Sequence, residues 1–368
     1  MPDGGIPRPS RWRARLIVAG AATALALLAA ELATRVLLGD QAILFPRYTT
    51  GANYGPYHLR RLRPSTTFRH TSADGSWLFT TNAQGFRDQR NWQYERKPGA
   101  GRILVLGDSH TQGFECRQED TYCAVLERRL GALGQPTEVL NTGISGFGTA
   151  EQLAFLENEG VKYRPDTVVL GWFINDPDDN VNAGLFAMRD GQLTEEKFVH
   201  QPGVKALDAI NRWAPLRWLS EHSYFYSLLF NRIWNWQKGV LFRGAHAAAA
   251  TELTVAAPSS DAAMAEYRHT LAAKLIERMS ATCQRQGIRF IVAEIPYYKT
   301  PTDFVPSLPG EMIPDVRNHC DALLLCDEWL GPYRGVTELF RVHGQQHISE
   351  TTHLILGMTL AEKIAAPR

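Results

Sequence analysis

Hydrophobic positions along this chain fall into three regimes. From Leu16 to Thr34 they are nearly continuous, reading LIVAGAATALALLAAELAT with Glu31 as the only charge. Between residues 40 and 100 short β-prone runs rich in aromatics, Arg, Thr and Gly take over. There Asp74-Gly75 separates two such runs and predicts a hairpin. KPGAG, Lys97 to Gly101, reads as a linker. From Arg102 short apolar runs alternate with segments of helical period. RILVLGDS (102–109), TEVLNTGI (137–144), DTVVLGWFIND (166–176), RFIVAEIPY (289–297) and DALLLCDE (321–328) read as strands. DTYCAVLERRLGAL with Asp120 as N-cap, EQLAFLENEG (151–160), the run from Asp261 to Gly287 and THLILGMTLAEKIAA read as helices. Strands alternating with helices predict a parallel sheet covered on both faces.

Residues 178–260 interrupt that alternation. Trp213, Trp218, Trp234 and Trp236 lie there with Tyr224, Phe225, Tyr226 and Phe230, and SEHSYFYSLLFNRIWNW has the spacing of one amphipathic helix. These aromatics suit packing onto the main core, a wall or lid over a substrate, or contact with a membrane surface. AHAAAAT (245–251) reads as a surface segment.

Composition changes the picture only at the amino terminus. Over 368 residues, 44% hydrophobic and 21% charged, a sizeable core is available, and a formal net charge of +1 gives no reason to expect nucleic acid. The apolar run is long enough to cross a bilayer, which takes about 20 residues. Arg8, Arg11, Arg13 and Arg15 precede it, which predicts a cytoplasmic tail over 1–15 and an anchor over 16–38. The body is then expected in the periplasm, attached to the inner membrane. A cleaved signal peptide and a buried helix are the competing readings. Outside the cytoplasm the close pairs Cys116/Cys123 and Cys320/Cys326 could be disulfides. No dinucleotide or P-loop motif and no zinc-type cysteine spacing is present, so no cofactor and no metal is expected.

Four polar blocks end strands or follow them, where open α/β sheets place their sites. Gly107-Asp108-Ser109-His110 puts a hydroxyl on a strand-to-helix turn, although a serine there is most often a helix cap. NTGISGFGT offers the Gly146 backbone N–H as an oxyanion donor, and GWFIND offers the Asn175 amide. Each is equally an ordinary turn. Glu350-Thr351-Thr352-His353 sets an acid three residues before a histidine, a spacing that lets the carboxylate hold one ring nitrogen while the other faces the serine. His343 and His347 lie upstream without partners at ligand spacing, His110 adjoins the serine, and the Asp176, Asp178, Asp179 cluster suits a solvated loop.

Taken together, LGDSH, Gly146, Asn175 and the acid-x-x-His block resemble the SGNH hydrolase superfamily, the GDSL-type esterases, over about residues 100–180 and 285–365. TNAQGFRD followed by RILVLGDSHTQG looks like its membrane-anchored bacterial branch. The resemblance implies a three-layer α/β/α fold with a five-stranded parallel sheet of flavodoxin-like order. It occupies 101–365, follows a β-rich extension over 40–100 and carries the insertion at about 178–260. It also implies Ser109 as nucleophile and His353 as base. Ser109, Gly146 and Asn175 would form the oxyanion hole. Glu350 stands where the family usually has Asp, with Asp315 and Asp327 as other candidates for the acid. The implied activity is ester hydrolysis on acylated cell-envelope glycans or small esters. Acyl transfer onto an exported polysaccharide, or an inactive binding protein on the same fold, remain as alternatives.

Overall fold

A computed structural model describes residues 11–237 and 261–366, so the basic residue Arg8 and the segment 245–251 lie outside the described residues. The chain enters through α1 (Arg11–Leu38), whose apolar side chains are exposed; its most apolar window has mean hydropathy 2.1, and the helix could cross a membrane. Two antiparallel hairpins follow. The first joins β1 (Thr49–Tyr54) to β2 (Tyr57–Leu62). The second joins β3 (Thr67–Ser72) to β4 (Gly75–Thr80), with Asp74 in the turn as its sequence predicts.

The sheet begins with β5 (Gly101–Leu106), which runs into the one-turn α2 (Ser109–Gln112). Then come α3 (Tyr122–Ala132), β6 (Thr137–Asn141), α4 (Thr149–Asn158), β7 (Thr167–Trp172) and α5 (Asp176–Ala183). Thr121 rather than Asp120 caps α3, because its hydroxyl accepts the Ala124 N–H. The insertion supplies a hairpin of β8 (Phe186–Arg189) and β9 (Gln192–Glu195), then β10 (Val199–His200), α6 (Val204–Asn211), α7 (Ala214–His222) and α8 (residues 224–237). The single amphipathic helix expected there is broken at Ser223. Its hydroxyl accepts the Tyr226 N–H, and the Glu31 carboxylate of α1 accepts the Tyr224 and Phe225 N–H groups, so a new helix starts. The alternation resumes with α9 (Asp261–Arg285), β11 (Arg289–Glu294), the short antiparallel pair β12 (Tyr297–Thr300) and β13 (Asp303–Val305), α10 (Ile313–Asn318), β14 (Ala322–Leu324), α11 (Cys326–Leu330) and α12 (Glu350–Ala365).

Five parallel strands form the central sheet in the order β14-β11-β7-β5-β6. Counted along the chain this is 2-1-3-4-5, the flavodoxin-like order. Alternation at period 2 then builds the layers. Leu104, Leu106, Val168, Leu170 and Val292 face a core shared with α4 and α9, while Ile103, Val105, Val169, Ile291 and Ala293 face one shared with α3 and α12. Burial on both faces explains why these strands read as continuous apolar runs rather than alternating ones. The sheet order reverses between β5 and β7, so the crevice for a site opens beyond their carboxyl ends, where Ser109 lies. All five cysteines are free thiols, and the disulfides considered for the close pairs are not formed.

Candidate active site

Gly107 follows β5 with φ of 157°, and a Cβ there would lie 1.9 Å from the Thr111 hydroxyl, so this turn into α2 requires glycine. Asp108 caps the turn by accepting the His110 N–H at 2.8 Å. Burial pushes the Asp108 carboxyl up to about 7. Ser109 follows, half-buried at the mouth of the crevice.

The Ser109 Oγ is 2.8 Å from Nε2 of His347. The sequence points to His353 for this contact, and the structure does not bring that residue to the serine. His353 lies on the first turns of α12, fully buried against α3, where its Nδ1 accepts the Tyr122 N–H at 3.2 Å and its ring stacks on Tyr122. Nor does Glu350 hold a histidine. Its carboxylate takes the Arg117 backbone N–H and guanidinium at 3.1–3.3 Å and pairs with Arg341 at 3.3 Å. The physical reason is that Ser349 caps α12. A spacing of three inside that helix puts both side chains near one face, but the face packs on α3 and the Arg117 loop instead of the crevice. His347 precedes the cap, in a loop closed by the Phe340–Ile348 bridge and by the Arg341 N–H bonding to the His347 carbonyl at 2.8 Å.

His347 is buried. Its ring centroid is 4.5 Å from that of His110 and 4.9 Å from that of Phe114. Burial holds its imidazole down at about 3, so at neutral pH it is uncharged and able to accept a proton. Its Nδ1 is 3.8 Å from a Glu115 carboxylate oxygen. The loop is clamped from the amino-terminal extension. Asp74 in the β3–β4 turn accepts the His343 and Gly344 N–H groups at 2.8 and 3.1 Å and meets the His343 ring at 2.8 Å. From TNAQGFRD, the buried Arg87 guanidinium donates to the carbonyls of Gln112, Gly113 and Cys116, holding the turn that follows the serine. The sequence gives Glu115 and Arg87 no role and Asp74 only that of a hairpin turn, and it offers His347 only as a metal-ligand candidate. The one available signal was that the GDSH block is followed by a single acid before the Arg117 loop.

The two expected oxyanion donors lie on the loops after β6 and β7. Gly146 sits at φ of 76° beside Ser145, whose N–H donates to the Gln112 side chain and whose carbonyl accepts from Arg60. Asn175 precedes α5, and its amide donates to Asp179 at 2.8 Å. Asp315 and Asp327 are placed elsewhere: Asp327 pairs with Arg334, and Asp315 lies in α10. Among the described residues no group of three or more His, Cys, Asp or Glu side chains is gathered as for a metal ion.

The sequence profile described as GDSL-like Lipase/Acylhydrolase family matches residues 105–307, more than half of the chain. Comparison with curated proteins gives no match. Solved structures with a similar course include a lipase/acylhydrolase from Enterococcus faecalis, 16% identical, covering 72% of this chain and 95% of its own, with TM-score 0.38. The acetyl xylan esterase AlAXEase is 13% identical, covers 72% and 99%, and has TM-score 0.37. A mutant of Axe2, an acetyl-xylooligosaccharide esterase from Geobacillus Stearmophilus, is 14% identical, covers 74% and 98%, and has TM-score 0.41. The profile match and the serine at the switch point of the sheet make this protein a member of the GDSL-like lipase/acylhydrolase family, a carboxylic ester hydrolase.

Proposed function

We propose that Ser109 attacks the carbonyl of a short acyl ester while His347, in place of His353, takes the hydroxyl proton and returns it to the leaving alcohol. The observation that carries this is the 2.8 Å contact between Ser109 Oγ and His347 Nε2, within reach of direct proton transfer. The Ser109 and Gly146 N–H groups and the Asn175 amide are the proposed oxyanion donors. Beside Gly146 a cavity is walled by Phe45, Tyr48, Phe68 and Trp234 together with Arg47 and Arg60. Flat rings and guanidinium groups suit an acylated sugar better than a long alkyl chain, so the proposed substrate is an acetylated glycan of the cell envelope. On this reading residues 101–365 are the hydrolase unit, and the 40–100 extension supplies its clamps. Incubating the full-length chain with p-nitrophenyl acetate, then with a fluorophosphonate, tests the proposal. Nitrophenol release and a phosphonate adduct mapped to Ser109 by mass spectrometry are expected; an unlabelled Ser109 with no release would sink it. Acyl transfer is kept as a second reading because Leu207 and Trp234 of the insertion help to wall that cavity and so to exclude water. Acetyl found on an added oligosaccharide instead of free acetate would select it.

We also infer that α1 is an uncleaved inner-membrane anchor and that the hydrolase unit lies on the periplasmic side, against the bilayer. Arg35 donates to the His222 carbonyl and sits 4.8 Å over the Tyr224 ring, so the far end of α1 is seated on the α7–α8 corner. Along α7, α8 and the residue before α7, Trp213, Trp218 and Trp236 are more than half exposed, with Leu229 and Ile233 on one stripe of α8. Tryptophan favours the headgroup region, where its ring is half apolar and its N–H is wet. In reconstituted full-length protein, brominated lipids are expected to quench tryptophan emission, with at least half of the quenching lost when these three tryptophans are replaced by phenylalanine. Unchanged quenching would turn this face toward water.

A further inference from the structure

We infer that Glu115, the sixth residue after the serine, is the positioning acid of the site and stands in the volume that an acid three residues before His347 would fill. The inference rests on His347 being the base proposed above. The residue at that upstream position is Gly344. A Cβ built on Gly344 would lie 1.6 Å from one Glu115 carboxylate oxygen and 2.3 Å from the other. A side chain at 344 would displace the Glu115 carboxylate, and none is needed, since the same space already holds a carboxylate. Gly344 is not in the left-handed region, so it is the Glu115 carboxylate, not its backbone, that calls for glycine.

Three observations tie this carboxylate to His347. Its Oε2 is 3.8 Å from Nδ1, about 0.8 Å beyond a hydrogen bond, a gap of the kind that closes on substrate binding. The His347 Nδ1 is buried and has no hydrogen-bond partner among the described residues. The same Oε2 accepts the Gln345 N–H at 3.0 Å, which locks the carboxylate to the loop that carries the histidine. The backbone adds a fourth. Glu115 has φ of 58° and Gln346, beside the histidine, has φ of 57°. Non-glycine residues in this region cost about 1 kcal/mol or more and persist where the surroundings demand them, commonly at functional sites. For Glu115 the Arg87 guanidinium supplies the demand, by holding the carbonyls of residues 112, 113 and 116.

Chemically, a neutral His347 must keep its proton on Nδ1 so that Nε2 can accept from Ser109. An ionised Glu115 selects that tautomer and stabilises the imidazolium formed during attack. The charged and titratable groups around Glu115 are His70 of β3 at 3.9 Å, Asp74 of the β3–β4 turn, and Arg341 and His347 of the catalytic loop. The Ser72 hydroxyl of β3 also faces it. Burial in this company pushes the Glu115 carboxyl up to about 7. Activity is therefore expected to fall as pH drops through about 7, because protonation removes the acceptor for Nδ1–H.

The test moves the acid. Glu115→Gly relieves the backbone and vacates the volume, and Glu115→Gly/Gly344→Asp restores a carboxylate in it from the loop that carries His347. Expected is a fall in kcat of about 10²–10⁴-fold for Glu115→Gly, with KM little changed, since loss of an orienting acid has effects of this size. The double variant should recover at least tenfold of that loss. Glu115→Gln should stay slow and lose the fall in rate near pH 7. A readout independent of turnover is the downfield Nδ1–H proton resonance of His347: present in wild type, gone in Glu115→Gly, returned in the double variant. If wild type hydrolyses esters and Glu115→Gly keeps the wild-type rate, the inference is overturned while the ester reading stands. If wild type hydrolyses nothing, the ester reading fails, and the proton resonance alone decides whether Glu115 holds His347. A folded double variant that recovers neither rate nor resonance also overturns it.

Discussion

Replacing His347 with alanine is expected to lower kcat for p-nitrophenyl acetate by about a thousandfold or more, at the upper end of what a positioned general base contributes. Its Nε2 touches the nucleophile, and no other histidine nitrogen is shown bonded to Ser109 among the described residues. The contrast lies with His353→Asn. Asparagine can still accept the Tyr122 N–H that Nδ1 now takes, so the packing of α12 on α3 survives and the rate should stay within about tenfold of wild type, since neither ring nitrogen of His353 is hydrogen-bonded to the serine. Glu350→Ala should behave likewise, because Glu350 is engaged with Arg117 and Arg341. Steady-state kinetics on the three variants decide between the two histidines. A dead His353→Asn beside an active His347→Ala would restore the assignment that the Glu350-x-x-His353 spacing suggests and rule out His347 as the base.

The largest effect on stability is expected from Glu138→Ala. Arg102 and Glu138 face each other across β5 and β6, and the guanidinium is 1% exposed. Its Nε and Nη2 reach one Glu138 oxygen at 3.0 and 2.6 Å, and its remaining N–H groups donate to the carbonyls of Gln93, Tyr94, Glu95 and Tyr163. Removing the carboxylate leaves a buried charge without a counter-charge, which costs about 3–5 kcal/mol. At about 2–4 °C per kcal/mol for a domain of this size, the melting temperature should fall by roughly 10 °C. Thermal unfolding followed by circular dichroism reads the effect. A shift under about 2 °C would mean that water reaches the guanidinium and that the pair contributes no more than an exposed one.

What the chain determines by itself is the part built from local periodicity. Five buried strands, the helices between them, the Asp74-Gly75 hairpin and the apolar α1 all follow from patterns repeated over six to twenty residues, where burial of one face or two leaves few alternatives. Ser109 was legible for the same reason, because Gly-Asp-Ser at the end of a buried strand is a local device. Gly146 and Asn175, proposed as oxyanion donors, lie on the loops after β6 and β7. Which partners reach the serine depends on tertiary structure. His347 and His353 both follow it by more than two hundred residues, and only the position of the Ser349 cap turns one toward the crevice and the other into α3. The Glu115 carboxylate could not be found by spacing at all. It reaches the histidine from the opposite end of the domain, through space left open by Gly344, and a volume shared by two distant segments has no signature along either one. The break at Ser223 has the same origin, since the group that starts α8 is a carboxylate from the far end of α1.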